Sequence, residues 1–356
     1  MVAIDRDLLF IYSENARMRL KILAKALKKT PQRLKYTLTN LEKEGIVRAP
    51  HCIFDYSYLG LLLFRVYFKG GYISENDKLG IIKKLSEHPY VTSIYELTGE
   101  FDLALEFIAP NPSRFNKELK TAANLIPTLN NYKIILNVVT HVYPRQYLPK
   151  SKELGAAEKP EIIVGGDRAV DSFTKNELDV MKQLLMRPKM RRTAMAKVTR
   201  LNIKTVTSVV RQLQKRKIIK GFKYAIDANA LGFEKARLFL NLHNISKERE
   251  AQLLGFLLRT PEVVQVHKTV GDWEMEIDIE TLDKNRMRYL IILIREEFKD
   301  IIESFNLIEF YQYYKRSYLP MYLFMPELPQ QQRKAEVQER LQKWNVSKGD
   351  ANKSLK

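Results

Sequence analysis

The sequence predicts an α+β protein made of two tandem copies of one two-domain unit. Three observations carry that expectation. First, residues 98–109 are TGEFDLALEFIA and residues 270–281 are VGDWEMEIDIET, so Gly99 and Gly271 lie 172 positions apart. The same offset holds without a gap from Asp7 to Asp102. It sets Arg19 on Arg191, Ala24-Lys25 on Ala196-Lys197, Leu41 on Leu213, Asp55 on Asp227 and Leu59-Gly60 on Leu231-Gly232. Near the end it slips by one, and Tyr147-Leu148-Pro149 answers Tyr318-Leu319-Pro320. Second, the opening stretch of each copy has helical spacing. Third, the remainder of each copy alternates strand and helix patterns. The period is too long for a solenoid, so the repeat is a duplicated domain pair.

The opening stretch reads as three short helices. In the first copy Leu8, Leu9, Ile11 and Tyr12 share one face, then Leu20, Leu23, Ala24 and Leu27 share another. In TPQRLKYTLTNLEKEG, Thr30 suits an N-cap, Pro31 the first helical position and Gly45 the stop. Leu34, Leu38 and Leu41 form its inner face. The second copy repeats the plan in NIKTVTSVVRQLQKRK, with Val206, Val210 and Leu213 inside. IVRAPHCIFD and IIKGFKYAID then predict a short strand, turn and strand. Three helices and a two-stranded wing make a winged helix-turn-helix, whose third helix fits a DNA major groove.

The outer faces supply the chemistry. Gln32, Tyr36, Asn40, Thr205, Ser208 and Gln212 suit base edges, and Arg33, Lys35, Arg191, Arg192, Lys204, Arg211, Lys215 and Lys217 suit phosphates. Any amphipathic helix has a polar outer face, so composition alone does not decide. Charge placement does. Of the net +19, residues 1–60 carry +5 and residues 172–232 carry +12, whereas residues 61–150 carry +3 and 233–325 carry −2. Charge confined to the readers is the footprint of a polyanionic partner, double-stranded DNA. The skew makes the second reader the stronger phosphate grip.

The rest of each copy predicts βαββαβ. LLFRVYF, VTSIYELT, FDLALEFIA and YKIILNVVTHVYP are strand-like, with helices over 74–88 and 112–126. The hairpin turns on Gly99-Glu100 as a two-residue loop. The second copy gives ARLFLNL, VVQVHKTV, WEMEIDIE and IIESFNLIEFYQYY, with helices between. This order is the ferredoxin-like plan, one antiparallel sheet with helices on one face. Its bare face is covered most simply by the other copy.

Much is missing. No apolar run reaches the ~18 residues of a membrane span, and MVAIDRDLLF has acids where a signal peptide is basic. Cys52 is the one cysteine, so no intrachain disulfide or thiolate cluster forms. None of His51, His88, His141, His243 and His267 has metal-ligand spacing to another. His141 and His267 read as structural strand residues. No Gly-rich phosphate loop or nucleophile elbow appears. The expectation is a cytoplasmic protein without catalytic residues, metal or cofactor.

A winged helix-turn-helix followed by a βαββαβ domain whose hairpin reads TGEFD resembles the Lrp/AsnC (leucine-responsive, feast/famine) transcription regulators. Ala24-Lys25, Leu41-Glu42, Gly45-Ile46, Asp55 and Leu59-Gly60 follow the same pattern, over residues 3–148 and 174–320. The resemblance implies dimerisation through the βαββαβ domains and operator binding through paired readers. It also implies an amino acid or similar small effector at the βαββαβ interface, for which Thr98, Gly99, Glu100 and Asp102 are the candidates. Gly99 also fits a turn that needs positive φ, and Asp102 a structural role. Copy two departs from the pattern at Val270, Trp273 and Glu274, so the two halves would not share one effector pocket. Members carry one copy, so this chain is expected to be a fused pseudo-dimer, with further homo-oligomerisation open. The expected parts are readers at 1–60 and 172–232, βαββαβ domains at 61–149 and 233–325, a linker at 150–171 and a polar tail at 326–356. Two alternatives stay open: an architectural DNA-binding protein, and an enzyme like the siroheme decarboxylases, which are similar to this family. The latter would need His and Arg converging on a substrate pocket, whereas here the basic residues gather on the readers.

Overall fold

The computed structural model describes residues 5–70, 74–125, 131–151 and 161–325. The chain divides after Pro320, and beyond it one 3-10 turn, Met321–Phe324, is described. The GAAEKP stretch of the expected linker and the tail lie outside the described residues.

The first copy runs α1 (Arg6–Glu14), α2 (Leu20–Ala26), α3 (Pro31–Lys43), β1 (Val47–Phe54), β2 (Leu62–Lys69), α4 (Glu75–Glu87), β3 (Val91–Thr98), β4 (Leu103–Ala109), α5 (Pro112–Ala123) and β5 (Asn131–Val142). A connecting strand, β6 (Ile162–Gly165), follows. The second copy runs α6 (Lys175–Met186), α7 (Arg192–Thr199), α8 (Ile203–Lys215), β7 (Ile219–Ile226), β8 (Glu234–Leu242), α9 (Lys247–Arg259), β9 (Val263–Val270), β10 (Met275–Thr281), α10 (Lys284–Glu297) and β11 (Ile302–Arg316). The starts follow from capping chemistry. Thr30 accepts from the Arg33 amide ahead of Pro31, and Ser74, Asn111, Ser246 and Asp283 cap α4, α5, α9 and α10 in the same way. Thr174 and Glu177 close a capping box on α6.

Three local expectations are corrected. Neither copy builds its own two-stranded wing. β1 and β7 are single strands that pair with each other, antiparallel, with His51 opposite Lys223 and Phe54 opposite Ile219. Pro50 falls at a register shift of that ladder rather than in a turn, so the strand runs through and takes its partner from the other copy. The expected linker contains β6, which pairs with Val139–Val142 of β5. The hairpin loop is longer than two residues: the Leu97 amide donates to the Asp102 carbonyl, and Phe101 turns inward to 2% exposure. Burying that ring sets the loop length, and Trp273 repeats it in copy two at 4%.

Within each copy the sheet order is β5-β2-β4-β3 and β11-β8-β10-β9. The last strands then cross over. β5 pairs residues 131–137 with β2 and residues 136–142 with β9. β11 pairs residues 302–309 with β8 and 309–316 with β3. Eight strands therefore close into a ring inside one chain. Helices lie against the outer face: Phe115 of α5 stacks on Phe64 of β2 at 4.1 Å, and α9 and α10 bury Leu253, Leu257, Leu290 and Ile294 on β8–β10.

The inward faces meet, as the bare-face argument requires, but the filling is not only apolar. Tyr67, Phe101, Phe239, Trp273 and Phe310 form an aromatic cluster. Beside it lie Arg65, Arg237, Glu276, Asp278 and Glu280, each 2% exposed or less. The basic residues are thus not confined to the readers. Arg65 binds Glu106 at 2.7 Å and also Glu276, Arg237 binds Asp278 at 2.6 Å, and Lys235 and Arg145 bind Glu280 at 2.8 and 2.9 Å. Every one of these four buried cations has a carboxylate, as burial demands.

Candidate nucleic-acid interface

The reader helices present what the sequence assigned to them. On α8, Val206, Val209, Val210 and Leu213 are buried, while Lys204, Ser208, Arg211, Gln212 and Lys215 are exposed and Thr205 is half-buried. On α3, Leu34, Leu38 and Leu41 are buried, Gln32, Arg33 and Lys35 are exposed, and Asn40 is half-buried. Tyr36 stands 72% exposed, an aromatic left in water on a polar helix face. Arg191 and Lys217 are exposed. Lys217 has φ +59°, the left-handed region that Gly45 occupies at +71° in copy one. Arg192 differs. It is half-buried and lines a cleft of about 630 Å³ between the copies, together with Arg17.

Among the described residues, no ion pair engages Arg33, Lys35, Arg191, Lys204, Arg211, Lys215 or Lys217. The contrast with the ring is physical. The four ring cations above are matched one by one, whereas these seven reader cations face solvent and no described carboxylate pairs with them. Such charges are free to displace condensed counter-ions from a phosphate backbone.

The readers are locked together across the copies. Arg48 pairs with Asp227, and Lys220 pairs with Asp55 at 3.1 Å, one contact made twice with the copies exchanged. The Tyr12 ring stacks on Tyr224 at 4.4 Å, and their hydroxyls share a hydrogen bond of 2.6 Å. Arg17 donates to the carbonyls of Pro188 and Met190 at 3.2 and 3.1 Å, and Lys223 meets Glu14 at 2.6 Å. Burial lowers Arg17 from its ordinary value, helped by the Arg192 charge.

The four hairpin candidates come to the seam of the ring. Asp102 accepts from the Gly70 amide at 2.8 Å, and Glu100 meets Asn306 and, at 3.8 Å, Lys133. Thr98 is exposed at the end of β3. A Cβ on Gly99, φ +116°, would lie 3.7 Å from Ile308, and one on Gly271, φ +153°, would lie 2.7 Å from Ile135. Each repeated glycine therefore sits against the crossing strand of the other copy.

Sequence reasoning missed the ionic filling of the ring. Glu276 is its centre: it binds Arg65, lies 3.2 Å from Arg237, and accepts from Tyr67 and Trp273 at 2.9 Å each. Burial pushes its carboxyl up, but Arg65 and Arg237 outweigh that and hold it below its ordinary value. Burial likewise opposes ionisation of Glu106, and Arg65 with hydrogen bonds from Ser93 and Tyr95 brings it to about 2. His267 is lowered to about 4 by burial and by the Arg65 charge. The available signal was the run EMEIDIE, in which acids occupy every second position of a buried strand. Among the described residues no group of three His, Cys, Asp or Glu side chains could hold a metal ion, and no helix is long and apolar enough to cross a membrane.

Comparison with known proteins agrees with this geometry. Residues 1–48 match the winged helix-turn-helix DNA-binding family. An uncharacterised HTH-type transcriptional regulator of Pyrococcus horikoshii is 32% identical over 123 residues, which span 35% of this chain and 78% of that protein. The DNA-binding transcriptional activator DecR of Escherichia coli is 26% identical over 129 residues, 36% of this chain and 85% of its own length. The chain belongs to this family of HTH-type transcriptional regulators, in line with its Lrp/AsnC resemblance. Each relative is matched over about one copy. Over both copies, the chain shares its fold with the crystal structure of the siroheme decarboxylase NirDL, with a TM-score of 0.54, 14% identity, and 88% of this chain and 92% of that one covered.

Proposed function

We propose that the chain is a sequence-specific, cytoplasmic DNA-binding regulator in which one fused pseudo-dimer carries two unequal readers. The observation that supports this most is the unpaired, outward charge on α3 and α8, in contrast to Arg65, Arg145, Lys235 and Arg237, which are buried and each paired with a carboxylate. Readers at 1–60 and 172–232 act through the phosphate contacts Arg33, Lys35, Arg191, Arg192, Lys204, Arg211, Lys215 and Lys217. Gln32, Tyr36, Asn40, Thr205, Ser208 and Gln212 read bases. The βαββαβ domains at 61–149 and 233–325, joined through 150–171, hold the readers at a fixed spacing. A small effector of amino-acid type bound at Thr98, Gly99, Glu100 and Asp102 would press on the crossing strands, because those loops touch them.

Fusion has a mechanical consequence. Unequal readers favour an operator with unequal half-sites, whereas a homodimer favours a palindrome. Linkage also raises the local concentration of the second reader once the first is bound.

The test is binding to fragments of the chain's own genome, against random competitor DNA, as a function of salt. A few tightly bound fragments and a steep negative slope of log K on log salt are expected. Arg211→Ala should weaken binding by about 1–3 kcal/mol. Equal binding everywhere would favour the architectural reading, and no binding at low salt would refute both. An enzyme like the siroheme decarboxylases is less supported. Its support is the shared fold, whereas the relatives matched by sequence are named transcriptional regulators.

A further inference from the structure

The two halves differ in how one slot is filled. In the first copy β6 lies along the edge of β5, with Ile162 against Gly221 of β7 and Gly165 against the Tyr56 hydroxyl. Exchanging the copies carries that slot to the edge of β11 at Phe310–Tyr313, between β1 and the 3-10 turn Asn229–Leu231. Among the described residues no strand pairs there. A cavity of about 310 Å³ opens instead, walled by β1, β7 and β11.

A chain segment is a poor occupant. Asn229 donates to the carbonyls of Phe310 and Tyr311 at 3.4 and 2.6 Å, and Arg48 donates to that of Tyr313 at 3.2 Å. An added strand would have to displace both side chains.

The lining fits a small molecule. Its β11 wall is aromatic, with Tyr313 stacked on Phe310 at 5.3 Å and the Lys235 ammonium over both rings at 4.8 and 5.2 Å. Two polar groups there are incompletely matched. His51 is 8% exposed, and its Nδ1 is buried without a hydrogen bond. Arg316 lies over Tyr313 and Tyr318 and donates to the Tyr318 hydroxyl at 3.4 Å, but among the described residues no carboxylate pairs with it. Arg145, its counterpart in the first copy, has both Glu280 and Glu14. Buried polar groups are ordinarily satisfied and buried cations paired. Burial, with the charges of Arg316, Lys223 and Arg145, keeps His51 neutral, so its Nδ1 can carry a proton to donate. The other cations of the wall are occupied: Arg48 by Asp227, Lys235 by Glu280, and Lys315 by the Ser86 carbonyl.

We propose that this pocket binds a small organic anion, its carboxylate held between Arg316 and His51 Nδ1 and its apolar body against Pro50, Ala225 and Ile226 of the β1–β7 ribbon. The site is distinct from the hairpin effector candidates. Its walls join the β1–β7 ribbon, which carries the readers, to the ring. An occupant would therefore fix the readers on the ring; only this consequence rests on the regulatory reading.

Calorimetric titration of the full chain tests it, with phenylpyruvate and indole-3-acetate as probes and phenethylamine as the cationic control. The carboxylates should bind at least roughly ten-fold tighter than the amine, the ratio given by one contact of about 1.4 kcal/mol. Arg316→Met should weaken them by a similar factor. Ala225→Phe fills the cavity from the wing without removing a charge and should abolish binding while leaving the thermal midpoint near that of the parent. No carboxylate binding at millimolar probe would overturn the proposal, as would equal binding by Ala225→Phe. Neither result depends on whether the chain binds DNA.

Discussion

Replacing Glu276 by alanine tests whether the ring is held by its ionic filling. The change gives copy two the residue that copy one has at the same place, Ala104, so backbone compatibility is assured. Glu276 is fully buried and takes four contacts, from Arg65, Arg237, Tyr67 and Trp273. In the variant Arg65 keeps Glu106 and Arg237 keeps Asp278, but the two guanidiniums lose the carboxylate between them and the Trp273 N–H is orphaned. An orphaned buried donor costs about 1–3 kcal/mol, and breaking a buried ion pair costs about 3–5 kcal/mol. The expected loss is therefore about 3–5 kcal/mol in urea unfolding at pH 7. Glu276→Gln keeps an acceptor for Tyr67 and Trp273, so it should lose less. The pH dependence has a fixed sign. Glu276 is depressed below its ordinary value of 4.5, so its contribution is complete above that pH and disappears as pH falls through the folded value. The gap between parent and variant should shrink in acid. A loss below about 1 kcal/mol at pH 7, or a gap that widens in acid, would refute the reasoning.

Three further outcomes follow from single residues. Gly271→Ala should destabilise more than Gly99→Ala in the same assay, because its Cβ would meet Ile135 at 2.7 Å while the nearest atom to the other is at 3.7 Å; equal losses would show that the seam yields. Lys217→Gly should raise stability by about 1 kcal/mol, the cost of a left-handed non-glycine residue, while weakening DNA binding, and a lower urea midpoint would contradict this. Stability should fall as pH drops from 6.5 towards 4, because His88 and His267 are each lowered to about 4, mainly by burial, and the unfolded chain takes up protons first. Each contributes up to about 3 kcal/mol, and a flat urea midpoint across that window would exclude it.

The duplication, the reader helices and the strand order were legible because each rests on local periodicity or on an offset that no chance pairing would share. The outward faces of α3 and α8 were legible for the same reason: Leu34, Leu38 and Leu41 fix which side is inside. What the sequence hid was pairing between copies. Nothing local in IVRAPHCIFD says that His51 will lie opposite Lys223, and nothing in YKIILNVVTHVYP says that residue 137 is where β5 leaves β2 for β9. The slot beside β11 was hidden more deeply, since it follows from where β6 lies in one half and has no counterpart in the other. The acids of EMEIDIE were visible as a pattern, but their partners come from two separate strands, Arg65 on β2 and Lys235 and Arg237 on β8, and, for Arg145, from the turn after β5.

Fusion explains why the ring can be filled this way. The offset sets Arg65 on Arg237 and Glu106 on Asp278, so those two pairs are one interaction repeated. Glu276 breaks the repeat, and it reaches both arginines from one side. In a homodimer the same substitution would appear twice and bring two carboxylates to the pair of guanidiniums, adding a charge with no cation left to meet it. Lys235 and Glu280 break the repeat again: their counterparts are Leu63 and Ile108, so copy one has apolar side chains where copy two has an ion pair. A covalent pseudo-dimer can hold such one-sided charges because each is encoded once. The same licence lets one slot take β6 while its twin stays a pocket, and lets one reader carry +12 while the other carries +5. The doubled sentence in the sequence closes the ring, and the differences between its two copies give each half its own electrostatics.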